Sequence, residues 1–168
     1  MKTKSFVPPL VILSLAAWFY FQYRIPEQSI FPEIDGTIDI AQLPLENAIK
    51  QVRGNGKIQL VSFEDPNCLY CAKLDRNLAR LENLTLYTFL LPILSEDSVV
   101  KSRRIWCAPD RALAWNDWML KRRLHSGPEN CDTTALDMNL KLGEKIGIRS
   151  VPYLLEGDGE QEASTPPP

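Results

Sequence analysis

Alternating apolar and polar residues predict a mixed α/β domain in this chain. Two apolar runs rich in branched side chains, KIQLVSF at 57–63 and LTLYTFLL at 84–91, predict buried strands, and Tyr153–Glu156 predicts a third. Apolar residues at helical spacing, bounded by capping and breaking residues, predict five helices. These helices cover residues 45–52, 68–82, with Asn67 as the N-cap, 96–107, 110–124 and 134–145. The order of the elements indicates a sheet covered by helices on its faces.

The amino-terminal segment differs from this domain. Residues 5–23 carry no charge, two lysines precede them, and Arg24 follows. A basic start and an apolar run are typical of an export signal or a signal anchor, with the amino terminus in the cytoplasm. Small residues before Ala17 offer a cleavage site, whereas the aromatic residues at 18–21 suit the interface of an uncleaved anchor. Both interpretations stay open.

These patterns divide the chain into four segments. Residues 1–24 are the signal peptide or signal anchor, and residues 25–44, which hold three prolines, are a tether with at most a short strand around 37–40. Residues 45–159 form the predicted domain. The polar, proline-ended residues 160–168 are predicted to be disordered.

Composition narrows the classes of function. The chain has 168 residues, of which 45% are hydrophobic and 24% charged, as is typical of one globular domain. Its formal net charge of −2 argues against nucleic acid as a partner, because phosphate binding needs a concentrated positive field. An exported domain lies in an oxidising compartment, so its four cysteines are expected to be paired or redox-active.

The stretch Cys68-Leu69-Tyr70-Cys71 lies between a predicted strand and a predicted helix. Unpaired backbone N–H groups and the dipole at a helix N-terminus favour the thiolate of the first cysteine. Cys71, one turn further, can then attack a mixed disulfide formed at Cys68. The same spacing occurs in zinc sites, but these usually need four ligands, and His125 is the only histidine. We therefore expect neither a metal nor a cofactor.

A second pattern, Arg149-Ser150-Val151-Pro152, precedes the last predicted strand. Such a proline can be a rigid or cis element that faces a reactive sulfur and leaves the Val151 backbone free to pair with an extended peptide. It can equally be an ordinary proline that starts a strand. The pattern alone leaves both interpretations open.

The other charged and aromatic residues between 96 and 125 are expected to be structural. Trp106, Trp115 and Trp118 stand at helical spacing and are predicted to lie in the core. The basic runs within 101–104 and 121–123 predict solvated helix faces, and His125 is predicted to be exposed.

Three stretches of sequence are together more specific than the dithiol. They are VSFEDPNCLYC at 61–71, IWCAPDRALAWNDWM at 105–119 and NCDTTALDMNLKLGEKIGIRSVP at 130–152. In these stretches the chain resembles the catalytic domain of the bacterial periplasmic disulfide interchange proteins of the DsbC/DsbG type. The resemblance implies a thioredoxin-like α/β fold with a helical insertion, and a location in the periplasm, with an inner-membrane tether if residues 5–23 are not removed.

The resemblance also implies roles for individual residues. Cys68 is the implied nucleophile and Cys71 the implied resolving thiol. Cys107 and Cys131 are implied to form a structural disulfide that holds the helical insertion together. The residues implied to contact the substrate are Tyr70, Val151 and Pro152, the last as a cis-proline beside the dithiol.

The chain departs from this family's pattern at its two ends and at position 62. It is expected to lack an N-terminal dimerisation domain and to be short of one strand and one helix at its C-terminal end. Ser62 stands where many thioredoxin-like proteins bury an acid that takes the proton of the resolving thiol. Glu64 and Asp65 are the two candidates to replace that acid.

The expected function is that of an exported thiol–disulfide oxidoreductase, isomerase-like or reductase-like. It would act on cysteine-containing periplasmic proteins together with a redox partner in the membrane. The alternative is a non-catalytic assembly component of an envelope machine that keeps the fold as a binding module. A metal chaperone is a third interpretation, for which the chain offers no suitable histidine.

Overall fold

The computed structural model describes residues 39–125, 128 and 130–156. The predicted signal or anchor at 5–23, residues 25–38 of the tether and the tail at 160–168 lie outside these residues. Among the helices that are described, none is long and apolar enough to cross a membrane.

In the described part of the chain, four strands form one mixed sheet. They are β1 (Ile49–Val52), β2 (Ile58–Glu64), β3 (Leu84–Leu90) and β4 (Tyr153–Glu156), in the order β1-β3-β2-β4. β2 runs parallel to β3 and antiparallel to β4, while β1 is antiparallel to β3 at one edge. The three strands expected from the sequence are confirmed. Because β2 has a hydrogen-bonded partner on each side, the sheet holds the start of the turn that follows Glu64.

Four α-helices accompany the sheet within residues 39–156, as far as these are described. They are α1 (Leu69–Leu78), α2 (Glu96–Trp106), α3 (Arg111–Lys121) and α4 (Thr134–Lys145). All four were expected, and α4 covers the predicted residues, whereas the other three are shorter at their ends. Side chains also cap α2 and α3, because Ser95 accepts a bond from the Ser98 backbone N–H and Asp110 accepts one from that of Leu113.

The predicted helix at 45–52 is wrong. Leu45–Asn47 form a single 3₁₀ turn, and the next residues form the edge strand β1, in which burial alternates from residue to residue. The spacing of the apolar residues in this segment fits both the period of a helix and the period of a strand. Pairing with β3 decides in favour of the strand, because it satisfies backbone groups of β1. A 3₁₀ turn at Ile40–Gln42 likewise replaces the end of the short strand expected around 37–40.

The core has two main parts. In one, Phe63 of β2 stacks on Phe89 of β3, with ring centroids 4.8 Å apart, and Leu140 of α4 packs against this cluster. In the other, Cys71 is buried in the same cluster as Trp115 of α3, together with residues of α2. The helical insertion formed by α2 and α3 therefore shares its core with the dithiol.

The tryptophans of the insertion are largely where the sequence placed them. Trp106 and Trp115 are buried, as expected, whereas Trp118 is half-buried. The expectation that Lys101 lies on a solvated face is wrong. Its side chain is only 18% exposed, and Nζ lies 4.5 Å from the centroid of the Trp118 ring. A long stem and a cation–π contact bring this lysine onto the aromatic surface.

His125, expected to be exposed, is half-buried, with 36% of its side chain exposed. Its Nε2 lies 2.6 Å from Oδ2 of the buried Asp117, which also pairs with Lys121 and Arg123. Bonds from Lys121 and then His125 hold the pKa of the Asp117 carboxyl well below its usual range. One buried carboxylate thus collects three basic side chains at the end of α3.

A disulfide closes the insertion. Cys107, the residue after α2, is joined to Cys131, which precedes α4, with the two Cα atoms 5.7 Å apart. Two contacts lie beside it, since Trp106 Nε1 donates to the Asp132 carbonyl at 3.0 Å and the Arg111 guanidinium stacks on the Trp106 ring at 3.6 Å. The disulfide and these contacts together tie α2 to the start of α4.

We predict that replacing both Cys107 and Cys131 by Ala lowers the free energy of unfolding by about 3–4 kcal/mol, because the bridge restricts the unfolded chain. The two residues are 24 positions apart. Urea unfolding of the oxidised proteins measures the difference. In reductant the two proteins should unfold at nearly the same urea concentration. Equal stability under oxidising conditions would contradict the prediction.

Candidate active site

The dithiol lies where β2 turns into α1. Cys68 is the N-cap of α1, and its Sγ accepts a hydrogen bond from the Cys71 backbone N–H at 3.1 Å. The sequence predicted Asn67 as the cap, and this is wrong because the Asn67 side chain is bonded to α2 instead. The reactive sulfur therefore occupies the position where an N-cap oxygen normally satisfies a free N–H group.

This position separates the two thiols chemically. A hydrogen bond from the Cys71 thiol is the largest of the effects that lower the pKa of Cys68 to about 6. The backbone N–H groups of Cys71 and Tyr70 act in the same direction. Burial, the hydrogen bond to Cys68 and the nearby Glu64 raise the pKa of Cys71. At neutral pH Cys68 is thus largely a thiolate, while Cys71 keeps its proton.

The loop before β4 faces the Cys68 sulfur. The Val151–Pro152 peptide bond is cis, and the Val151 carbonyl oxygen lies 3.5 Å from Cys68 Sγ, where it accepts a bond from the protonated thiol. The pairing of Phe63 in β2 with Tyr153 in β4 brings this loop to the end of β2. The residue placed directly beside the reactive sulfur is thus Val151, which precedes Pro152.

The two residues between the cysteines are on the surface. Leu69 and Tyr70 are 74% and 69% exposed, whereas both sulfur-bearing residues are buried. Tyr70, predicted to contact substrate, is thus accessible to a partner. Leu69 directly follows Cys68 in the sequence, and Tyr70 directly precedes Cys71.

The buried carboxyl groups near the dithiol include Glu64, Asp65 and Asp75. Glu64 is fully buried, and neither of its carboxyl oxygens has a hydrogen-bond partner among the described residues. Burial and the neighbouring Asp75 raise the pKa of Glu64 well above its usual value. Asp75 is also buried, and desolvation raises its pKa to about 7 despite the opposing effects of Trp115 and Arg53.

Of the two acids considered as replacements for Ser62, Glu64 acts electrostatically on Cys71 and Asp65 has a different task. The Asp65 carboxylate accepts bonds from Ser98 Oγ and from the Leu94 backbone N–H, and so holds the turn before Cys68. Sequence reasoning missed Asp75. The available signal was its spacing, because it lies four residues after Cys71 and hence on the same face of α1.

In residues 39–125, 128 and 130–156, no three His, Cys, Asp or Glu side chains lie close enough together to hold a metal ion. The arrangement that is present, with a low-pKa thiol, a high-pKa thiol and a buried acid, suits thiol–disulfide exchange.

Similar proteins agree with this chemistry. Over 123 residues the chain is 44% identical to a Bordetella pertussis protein named probable thiol:disulfide interchange protein DsbC, with 73% of this chain and 43% of that protein covered. Identity to the thiol:disulfide interchange protein DsbC of Escherichia coli K12 is 28% over 110 residues, covering 63% and 45%. The chain thus spans less than half the length of these curated relatives.

A solved structure and a family profile extend the comparison to the fold. The crystal structure of a disulfide interchange protein from Neisseria gonorrhoeae superposes with a TM-score of 0.64 at 39% identity, covering 67% of this chain and 81% of that one. The profile of the thioredoxin-like domain matches residues 45–166. The chain therefore belongs to the thioredoxin-like domain family, with disulfide interchange proteins among its relatives.

Proposed function

We propose that this protein is a thiol–disulfide oxidoreductase that exchanges disulfides with cysteine-containing proteins. The observation that carries the proposal is the bond from the Cys71 N–H to Cys68 Sγ at 3.1 Å, which accompanies a Cys68 pKa of about 6. A thiolate at neutral pH next to a protonated second thiol is what exchange requires. The names of the relatives support the same reaction class.

In the first step the Cys68 thiolate attacks one sulfur of a substrate disulfide. A bond forms between Cys68 Sγ and that sulfur, the substrate S–S bond breaks, and the other substrate sulfur leaves as a thiolate. Backbone N–H groups of this protein stabilise negative charge on Cys68 Sγ. In the reverse direction they favour Cys68 as the leaving group, because its pKa is low.

In the second step Cys71 resolves the mixed disulfide. The Cys71 thiol loses its proton and attacks Cys68 Sγ, the mixed disulfide breaks, and the substrate leaves with both of its sulfurs reduced while Cys68 and Cys71 become oxidised. We assign the proton to the carboxylate of Glu64. Its burial and its effect on Cys71 support this, since a raised pKa makes a carboxylate a stronger base near neutral pH.

The substrate is proposed to meet the protein at Tyr70 and at the loop of Val151 and Pro152. The exposure of the tyrosine and the position of the Val151 carbonyl 3.5 Å from Cys68 Sγ support this assignment. An extended peptide with a cysteine at its centre could form backbone hydrogen bonds to Val151 while its sulfur reaches Cys68.

We further propose that the domain works in the periplasm, tethered to the inner membrane if residues 5–23 stay in place, and that a membrane protein restores its redox state. The basic start and the uncharged run support export, and the structural disulfide suits an oxidising compartment.

The cysteines give the primary test of function. In insulin reduction with a thiol as electron source, Cys68→Ser should reduce the rate to the uncatalysed background, because the nucleophile is lost. Cys71→Ser should still attack and should accumulate a mixed disulfide, visible by mass spectrometry. Leu113→Ala, at an exposed position of α3, serves as the control. Full activity of Cys68→Ser would refute the proposal and favour a non-catalytic binding role.

We predict that Glu64→Gln slows resolution by about a hundredfold at pH 7 and leaves the attack by Cys68 nearly unchanged, since only the proton acceptor is removed. Stopped-flow decay of the mixed disulfide measures resolution. Glu96→Gln, an exposed acid at the start of α2, is the matched control. Equal resolution rates in the two variants would exclude Glu64 as the acceptor.

The same variant should change the pH dependence of stability. Because the pKa of Glu64 is raised in the folded protein, folding takes up a proton above the ordinary carboxyl pKa. The free energy of unfolding of the wild type should therefore fall as pH rises from that value towards the folded pKa. Glu64→Gln should flatten this dependence in urea unfolding between about pH 4 and 8.

The location can be checked on the full chain. Expressed in a Gram-negative bacterium, it should fractionate with the inner membrane and retain its first residues, which Edman sequencing reads, if residues 5–23 are an anchor. A soluble periplasmic product that begins at Ala17 would identify a cleaved signal. A cytoplasmic product with an intact amino terminus would contradict export.

A further inference from the structure

The turn that carries Cys68 is attached to the helical insertion. The Asp65 carboxylate accepts bonds from Ser98 Oγ at 2.7 Å and from the Leu94 backbone N–H at 2.9 Å. The Pro66 carbonyl accepts a bond from Trp118 Nε1 at 2.6 Å. Residues 65 and 66 are thus each bonded to a segment some thirty to fifty residues further along the chain, and Asn67 is bonded to the same region.

Asn67 uses both ends of its amide in this attachment. Its Nδ2 donates to Ser95 Oγ at 3.0 Å and to Asp97 Oδ2 at 2.9 Å, and its Oδ1 accepts a bond from Lys101 Nζ at 2.7 Å. The amide thus spans the first turn and a half of α2. Asn67 immediately precedes Cys68, so these side-chain bonds anchor the chain directly before the N-cap.

Lys101 is held in place by partners on two sides. Its Nζ lies 4.5 Å from the centroid of the Trp118 ring, and it is ion-paired with Asp97. Its side chain is only 18% exposed, whereas Arg103, two residues further along the same helix, is exposed. A lysine ordered by an aromatic ring and a carboxylate can fix the amide that it contacts.

Resting on the proposed function, we infer that Lys101 is a positioning residue for exchange, which acts through Asn67 to hold Cys68 Sγ at the N-terminus of α1. The bond from the Cys71 N–H to Cys68 Sγ depends on distance and direction, and a small displacement of the turn weakens it. The same displacement moves the sulfur relative to the Val151 carbonyl. Lys101 thus couples α2 to the reactivity of the thiol.

The test measures the pH dependence of iodoacetamide alkylation of Cys68 after mild reduction of the dithiol. We compare wild type with Lys101→Met, Asn67→Ala, the double variant and the control Arg103→Met. Lys101→Met and Asn67→Ala should each slow alkylation at pH 6 by about three- to tenfold, because less of the thiol is ionised. Arg103→Met should match wild type, and Cys68→Ser gives the labelling background.

The double variant distinguishes positioning from a through-space effect of the lysine charge. If Lys101 acts through Asn67, Lys101→Met should cause no further slowing in the Asn67→Ala background. Additive slowing, or no slowing by Lys101→Met, overturns the inference. Lys101→Arg, which keeps a cationic donor, should restore most of the wild-type rate. A variant that is unstable yet has a wild-type alkylation profile also overturns it, because its role is then structural only.

Insulin reduction by the wild type separates this inference from the proposed function. A wild type without activity whose alkylation profile nonetheless responds to Lys101→Met refutes the function and supports the positioning role. An active wild type whose alkylation profile does not respond to Lys101→Met supports the proposed function and refutes the positioning role.

Discussion

The hydrogen bond from the Cys71 N–H to Cys68 Sγ is the contact on which the site depends. It caps α1 and so belongs to the fold, and it also stabilises the Cys68 thiolate and so belongs to the chemistry. It forms because β2 ends at Glu64 in the middle of the sheet and a three-residue turn brings the chain directly into α1. Structure and reactivity therefore rest on the same atoms.

Two chemically identical thiols acquire different properties from their surroundings. Cys68 lies at the helix terminus, where N–H groups favour negative charge, whereas Cys71 is buried behind it beside Glu64. The buried Glu64 beside Cys71 adds to the rise of the pKa of that thiol. The difference between these two environments, one helical turn apart, thus distinguishes the nucleophile from the resolving thiol.

The insertion of α2 and α3 serves both stability and the site. Its core residue Trp115 shares a cluster with Cys71, and a disulfide joins its first helix to the start of α4. The expectation of solvated basic faces failed here for Lys101, whereas Arg103, Arg104 and residues 121–123 are exposed as expected. Lys101 and His125 each found a polar partner, namely Asn67 and the buried Asp117, instead of water. A short basic run in a sequence does not reveal whether such a partner lies nearby in the fold.

Local sequence by itself determined β2, β3, β4 and α4, as well as the place of the dithiol between a strand and a helix, because these features depend on residues only a few positions apart. The resemblance to disulfide interchange proteins also came from contiguous stretches. Tertiary structure decided that 49–52 form a strand, since β3 supplied the backbone partners. It also decided that Cys68 caps α1, because α2 binds the Asn67 side chain, and that Glu64 lies beside Cys71 while Asp65 holds the turn. Each of these outcomes depends on groups far apart in the chain, whose proximity only the folded sheet and insertion establish.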